Sequence, residues 1–216
     1  APAYPSKPIT SVVGYPPGGS TDLMGRMVGT ELSNRLGQPV VIENIGGAGG
    51  AIGAQKVASA QPDGYTLLVG ASNELAINKL VTKKVKYDIK DFTAIGLVAS
   101  QPLVLVASPA SGVKNAADFI QLVSKNPGKY SYGSSGVGTS LHLAGEMLKS
   151  QGKLFMTHIP YRGVAPLTND LVGNNLEFGV FVLSSGLPHI KSGKVMALGT
   201  TEPKRSPITP DIPALA

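Results

Sequence analysis

The 216-residue chain contains no cysteine, which excludes disulfides, thiolate metal sites and cysteine nucleophiles together. Charged side chains make up 15% and aromatic ones 6%, yet no apolar run approaches the length needed to span a bilayer. The three histidines, His142, His158 and His189, lack metal-ligand spacing, so neither a metal nor another cofactor is expected. The start, Ala1-Pro2-Ala3-Tyr4-Pro5, has neither the basic region nor the apolar core of a signal peptide. A small-residue start followed by Tyr-Pro suits a mature exported protein whose signal has been removed.

Acid is the scarcer sign: 13 acidic residues against 19 basic ones leave a formal charge of +6, with a pI near 9.5. Such a balance raises the question of nucleic acid. The densest basic cluster, Lys79, Lys83, Lys84, Lys86 and Lys90, has only Tyr87 interleaved and lacks the glycine–aromatic pattern of an RNA-binding strand. It reads as a solvated lysine face, and no nucleic-acid partner is expected. The surplus charge can still steer a small anion, an effect that fades with salt.

Glycine and proline are plentiful, at 27 and 17 residues, and they gather at two junctions. Gly14-Tyr15-Pro16-Pro17-Gly18-Gly19-Ser20-Thr21-Asp22 and Gly133-Ser134-Ser135-Gly136-Val137-Gly138-Thr139-Ser140 each separate a short apolar run from a stretch of helical periodicity. A strand that turns on glycine into a helix leaves the first helical N–H groups unpaired, where the macrodipole favours negative charge. Two such junctions, one in each half of the chain, point to an anionic ligand gripped from both sides.

Apolar runs at Ile9–Val13, 39–42 and 65–69 alternate with helical stretches at 22–36 and from the Gly46–Gly53 turn to residue 60. That β–α–β–α–β order implies a parallel sheet with right-handed crossovers. In the first helix Leu23, Met27, Val28, Leu32 and Leu36 supply the apolar spacing, and Gly37 the stop. Residues 71–92 read as a surface wrap, and 95–100 and Leu103–Ala107 as strands around a crossing at Gln101-Pro102. Helices at 115–124, 141–151, 165–172 and 187–191 then alternate with strands at 130–133, 156–160, Phe178–Val182 and 195–200. Residues 202–213, rich in proline, read as a linker. Length and order suit two α/β lobes, 1–100 and 101–200, with 201–216 returning towards the first.

The first junction offers Tyr15, Pro17, the N–H groups of Gly18 and Gly19, and the hydroxyls of Ser20 and Thr21. The same residues also fit an ordinary strand-to-helix turn capped by Ser20 or Thr21, with Asp22 as a first-turn acid that orders the loop. No Gly-Lys-Ser/Thr follows, so this is not a P-loop. Gly46 to Gly53 shows no complete dinucleotide fingerprint and reads as backbone packing and a tight turn. At the second junction Ser140 lacks the Gly-x-Ser-x-Gly elbow, and His142 two residues on would point to another helix face. Thr139 or Ser140 is either a cap or a ligand contact, and His142 either a satisfied interior histidine or part of the site. Tyr161-Arg162-Gly163 lies at another strand end, where Arg162 can meet either solvent or a carboxylate. In open α/β sheets ligands gather at the carboxyl ends of strands.

The segments YPSKPIT, YPPGGSTDLMGR, VVIENIGGAGGAIGA, QPDGYTLLVG, SYGSSGVGTSLHLAGEML, IPYRGVAPLTNDLVGN and LPHIKSGKVMALGTTEPKRSPITPDIPALA run in order along the chain. Together they resemble the Bug-type extracytoplasmic solute receptors of tripartite tricarboxylate transporters. The resemblance implies a two-lobed, periplasmic-binding-protein-like (type II) α/β fold. Each lobe would be a mainly parallel sheet flanked by helices, with a ligand cleft between lobes that closes by a hinge on a small mono- or dicarboxylate. It also implies periplasmic delivery to membrane permease subunits. The site would comprise residues 15–22, with Gly138, Thr139, Ser140 and His142 opposite, and Ser72, Asn73, Tyr161, Arg162 and Gly163 lining the cleft. Relatives continue past the equivalent of Ala216, so the first lobe is expected to be incomplete, swapped with another copy or completed by a separate piece. Relatives often carry a polar residue near Phe181; if Phe181 faces the cleft, the ligand has an apolar or aromatic body. Two rival readings stay open: a small-anion enzyme, for acyl or phosphoryl transfer, using Ser140 and His142, and the effector-sensing domain of a regulator.

Overall fold

The computed structural model describes residues 3–215; Ala1, Pro2 and Ala216, on which the readings of the chain start and chain end partly rest, lie outside them. The chain divides into two compact units, 1–100 and 101–216.

In the first unit β1 (Ile9–Val13) pairs in parallel with β2 (Val40–Asn44) on one side and β3 (Thr66–Val69) on the other. The crossovers carry α1 (Ser20–Leu36) and α2 (Ala51–Ala58), as the alternating pattern implied. The helix α1 corrects the expected apolar stripe. Leu23, Met27 and Leu36 are exposed, and the buried face is Ser20, Asp22, Gly25 and Gly29. A Cβ on Gly25 would stand 3.0 Å from Val13 Cγ2, and one on Gly29 3.1 Å from Ile42 Cδ1. Backbone therefore rests almost directly on the sheet, which leaves no room for the large side chains the periodicity favoured. Gly37 ends the helix in the left-handed region, φ 71°, as expected.

Residues 71–92 wrap β3 through a π-helical turn (Asn73–Ile77), the short α3 (Asn78–Val81) and a 3₁₀ turn (Ile89–Asp91). Its lysines are exposed, and Lys79 pairs with Asp88. Its inner side, by contrast, buries Asn73, Glu74, Asn78 and Tyr87. The strand expected over 95–100 does not form. Ile95, Leu97 and Val98 stand exposed, because a β-rich run becomes a strand only when an edge takes up its hydrogen bonds.

The second unit is a five-stranded sheet in the order β6-β5-β7-β4-β8: β4 (Leu103–Ala107), β5 (Ser131–Ser134), β6 (Thr157–Pro160), β7 (Phe178–Val182) and β8 (Met196–Thr200). β5 runs parallel to β6 and β7, whereas β4 lies antiparallel to both β7 and β8. Helices α4 (Ala116–Lys125), α5 (Ser140–Gly152), α6 (Val164–Val172) and α7 (Leu183–Lys191) complete it. Alternate residues of β4 enter two cores. Leu105 and Ala107 join Phe119, Tyr132, Phe178 and Leu198; Val104 and Val106 join Leu167, Leu171, Phe181 and Val195. Residues 201–215, expected as a linker returning towards the first unit, instead pack on this second unit. Ile212 enters its core, and Leu215 N–H bonds Thr200 O at 2.8 Å.

Candidate functional site

At the end of β1 the chain turns through Gly14 to Gly19 into α1. The helix N-cap is Gly19, with no side-chain cap, which corrects the assignment to Ser20 or Thr21. Ser20 is buried, Thr21 half-buried, and Pro17 and Gly18 exposed. The first intrahelical bond runs from Leu23 N–H to Gly19 O at 3.0 Å, so the N–H groups of residues 20–22 form the orphan first turn that favours an anion.

Asp22 orders this turn, as its position at the helix start implied. Its Oδ2 accepts the Gly18 N–H at 2.9 Å and Arg26 Nε at 3.1 Å, and its Oδ1 accepts Asn44 Nδ2 at 2.9 Å. Asn44 Nδ2 also donates to Tyr15 O at 3.0 Å. Burial opposes the charge of Asp22, but the donors from Arg26, Gly18 and Asn44 outweigh it and hold the carboxyl below its ordinary range. Its negative charge is thereby spent on the loop rather than presented to a ligand.

Behind the turn, the hydroxyl of Tyr15 receives Asn73 Nδ2 at 2.6 Å and lies 2.9 Å from Glu74 Oε2 and 3.2 Å from Gly49 O. This brings two expected residues, Tyr15 and Asn73, into one buried cluster; Ser72 beside them is exposed. The Gly46–Gly53 segment is the close packing its composition predicted. A Cβ on Gly14 would fall 2.8 Å from Gly50 Cα, and one on Gly53 2.9 Å from Gly14 Cα. Asn44, Glu74 and Asn78 were not foreseen. Asn44 carried a readable signal, a polar residue at the carboxyl end of a strand; Glu74 and Asn78 carried none within a polar surface-like stretch.

The second junction repeats the plan. Thr139 is the N-cap of α5, its Oγ1 accepting His142 N–H at 3.2 Å and donating to Gly136 O at 2.8 Å. Gly138, at φ 79°, donates its N–H to His142 Nδ1 at 3.1 Å, the same i to i+4 lock that Gly18 makes with Asp22. The His142 ring stacks on His158 at 3.9 Å between centroids, and His158 Nε2 meets Ser134 Oγ at 2.6 Å. Ser134 Oγ in turn accepts Gly136 N–H and donates to Gly136 O. Burial and the neighbouring His142 lower the basicity of His158 to about 4; burial likewise lowers that of His142, against the pull of Glu146. Both rings are therefore neutral at pH 7. His158 had been set aside for want of metal spacing, and only folding brings it against His142.

These contacts leave little for a hydrolase. His142 Nδ1 is committed to Gly138, its Nε2 faces Glu146 at 3.9 Å, and Ser134, which pairs with His158, is fully buried. At the next strand end Tyr161 donates from its hydroxyl to Asp170 Oδ2 at 2.7 Å and from its N–H to Ser134 O at 2.9 Å. Gly163 is buried with φ 134°, and Arg162 is exposed. Phe181 needs correcting: it is 0% exposed, sits in the α6–α7 core opposite Val104, and says nothing about a ligand's body.

A family model, described as tripartite tricarboxylate transporter family receptor, matches residues 24–216. A UPF0065 protein of Bordetella pertussis is 38% identical over 98% of this chain and 66% of its own length; the chain spans about two thirds of the curated relatives it matches. A solved periplasmic transporter superposes with a TM-score of 0.94 at 42% identity, over 98% of this chain and 71% of the other. Rpa4515 of R. palustris, solved with adipate, does so with a TM-score of 0.96 at 32% identity, over 99% and 72%. The fold is that of a periplasmic binding protein, in two α/β units. Because these matches run through both units, the chain belongs to the tripartite tricarboxylate transporter receptor family.

Proposed function

We propose that this chain belongs to an extracytoplasmic receptor that captures a small mono- or dicarboxylate and hands it to membrane permease subunits, with no bond made or broken. The observation that carries the reading is the repeated lock: in each unit a glycine N–H is tied to the side chain four residues on. Such a tie holds a helix N-terminus rigid before any ligand arrives. Carboxylates need no buried arginine there, which accords with the exposure of Arg162. The family consists of receptors, and a relative holds adipate. Periplasmic residence belongs to the same proposal and is checked by cell fractionation.

A thermal-shift screen against aliphatic and aromatic mono- and dicarboxylates, with turnover followed for every hit, tests the reading. Saturable stabilisation is expected, about 2.7 kcal/mol at a hundredfold excess over Kd, without consumption of ligand. If no carboxylate raises the Tm while an ester or phosphoester is consumed, the receptor reading is lost.

A further inference from the structure

Glu74 is a carboxylic acid 1% exposed, on the turn that follows β3, with no cation paired to it among the described residues. Its Oε1 accepts Ala71 N–H at 2.9 Å, and its Oε2 lies 2.9 Å from the Tyr15 hydroxyl. A Cβ on Gly50 would come within 2.8 Å of the same Oε2. One buried carboxyl thus touches the loops that leave all three strands of the first unit.

The Tyr15 hydroxyl has one proton and two acceptors within reach, Glu74 Oε2 and Gly49 O. When Glu74 is ionised, that proton goes to the carboxylate, and Gly49 O loses it while keeping the bond from Asn78 Nδ2 at 2.9 Å. When Glu74 is protonated, its own O–H donates to the Tyr15 oxygen, and the Tyr15 proton is released to Gly49 O. The neutral form ties the Gly46–Gly53 loop to the junction; the ionised form loosens it and sets a negative charge behind a helix N-terminus. Both consequences weaken the hold on an anion.

We propose that Glu74 is a positioning residue of the first junction, whose protonation state governs how firmly that junction holds a carboxylate, tighter with the proton on and weaker with it off. The proposal rests on reading that junction as a carboxylate site. Burial pushes the Glu74 carboxyl up to about 7, against the donors from Ala71 and Tyr15, so the change falls near neutrality. The other titratable groups facing it are Tyr15 and Tyr87, whose hydroxyl donates to Glu74 O at 2.7 Å. Burial raises both phenols, so neither ionises in this range. The histidines of the second junction are already neutral above their usual range.

The test is calorimetric titration with adipate at pH 6.5 and 8.5, paired with hydrogen-exchange protection factors for residues 46–53, on the wild type, Glu74→Gln and Tyr15→Phe. Affinity of the wild type should fall about fivefold across this range, and protection of the loop should fall with it. Glu74→Gln, fixed in the neutral hydrogen-bonding form, should show neither trend. An identical pH dependence in wild type and Glu74→Gln overturns the proposal. Should adipate fail to bind the wild type at either pH, the carboxylate reading fails for that probe, and loop protection alone decides the role of Glu74. If Glu74→Gln does not fold, Tyr15→Phe decides: a pH slope in loop protection that persists without the hydroxyl removes the relay.

Discussion

Gly18-x-Ser20-x-Asp22 and Gly138-x-Ser140-x-His142 have the same spacing, and in both the first glycine donates to the last side chain. Chemistry separates them: Asp22 is held ionised, whereas His142 accepts only while neutral. Asp22→Ala should leave the Gly18 N–H and Asn44 amide without their shared acceptor, costing about 1–3 kcal/mol in urea unfolding and weakening adipate binding. Asp22→Asn, which retains an acceptor, should cost less. A loss no greater for alanine than for asparagine would deny Asp22 its ordering role. At this scale the type of residue was legible and its surroundings were not. Asp22 could be read as a loop-ordering acid because position in a helix implies capping chemistry. Phe181 could not be placed, since which face of β7 meets the helices depends on strands far away in the chain.

At the scale of elements, periodicity located α1, yet misidentified its buried face. Hydrophobic spacing assumes that large side chains mediate packing, while α1 approaches the sheet through Gly25 and Gly29. Gly25→Val should therefore destabilise the protein by about 1–3 kcal/mol through overpacking against Val13, whereas Met27→Ala, at 65% exposure, should stay within about 0.5 kcal/mol. Equal effects from the two in chemical denaturation would restore the periodic stripe as the core face. The opposite failure occurred at 95–100, where β propensity was real and no partner edge accepted it.

Across the whole molecule the buried Glu74 and the half-buried His158 drive stability in opposite directions with pH. Glu74, raised from 4.5 to about 7, contributes stability that is complete below about 4.5 and lost as pH rises through about 7, about 3 kcal/mol in all. His158, lowered from 6.5 to about 4, contributes stability present above 6.5 and lost as pH falls towards 4; partial exposure discounts this to about 1–2 kcal/mol. Between pH 4.5 and 6.5 the two thus partly cancel, and the wild-type Tm should fall by less than Glu74 alone would lower it. The Tm of Glu74→Gln should rise with pH across that window and that of His158→Gln should fall, by about 2–4 °C per kcal/mol. Both variants tracking the wild type would show that neither group titrates as its burial implies.

By itself the sequence determined the order of strands and helices, save for the strand expected over 95–100, together with the two junctions, the absence of thiol chemistry and the family, because these depend on local backbone preference and on residues adjacent in the chain. Only the tertiary structure decided which polar groups share a proton. Tyr15, Gly49, Asn73 and Glu74 meet because parallel strands bring their C-terminal loops together, and His142 reaches His158 because β5 pairs with β6. Desolvation there acts on the assembled cluster, and no single segment of the chain contains it.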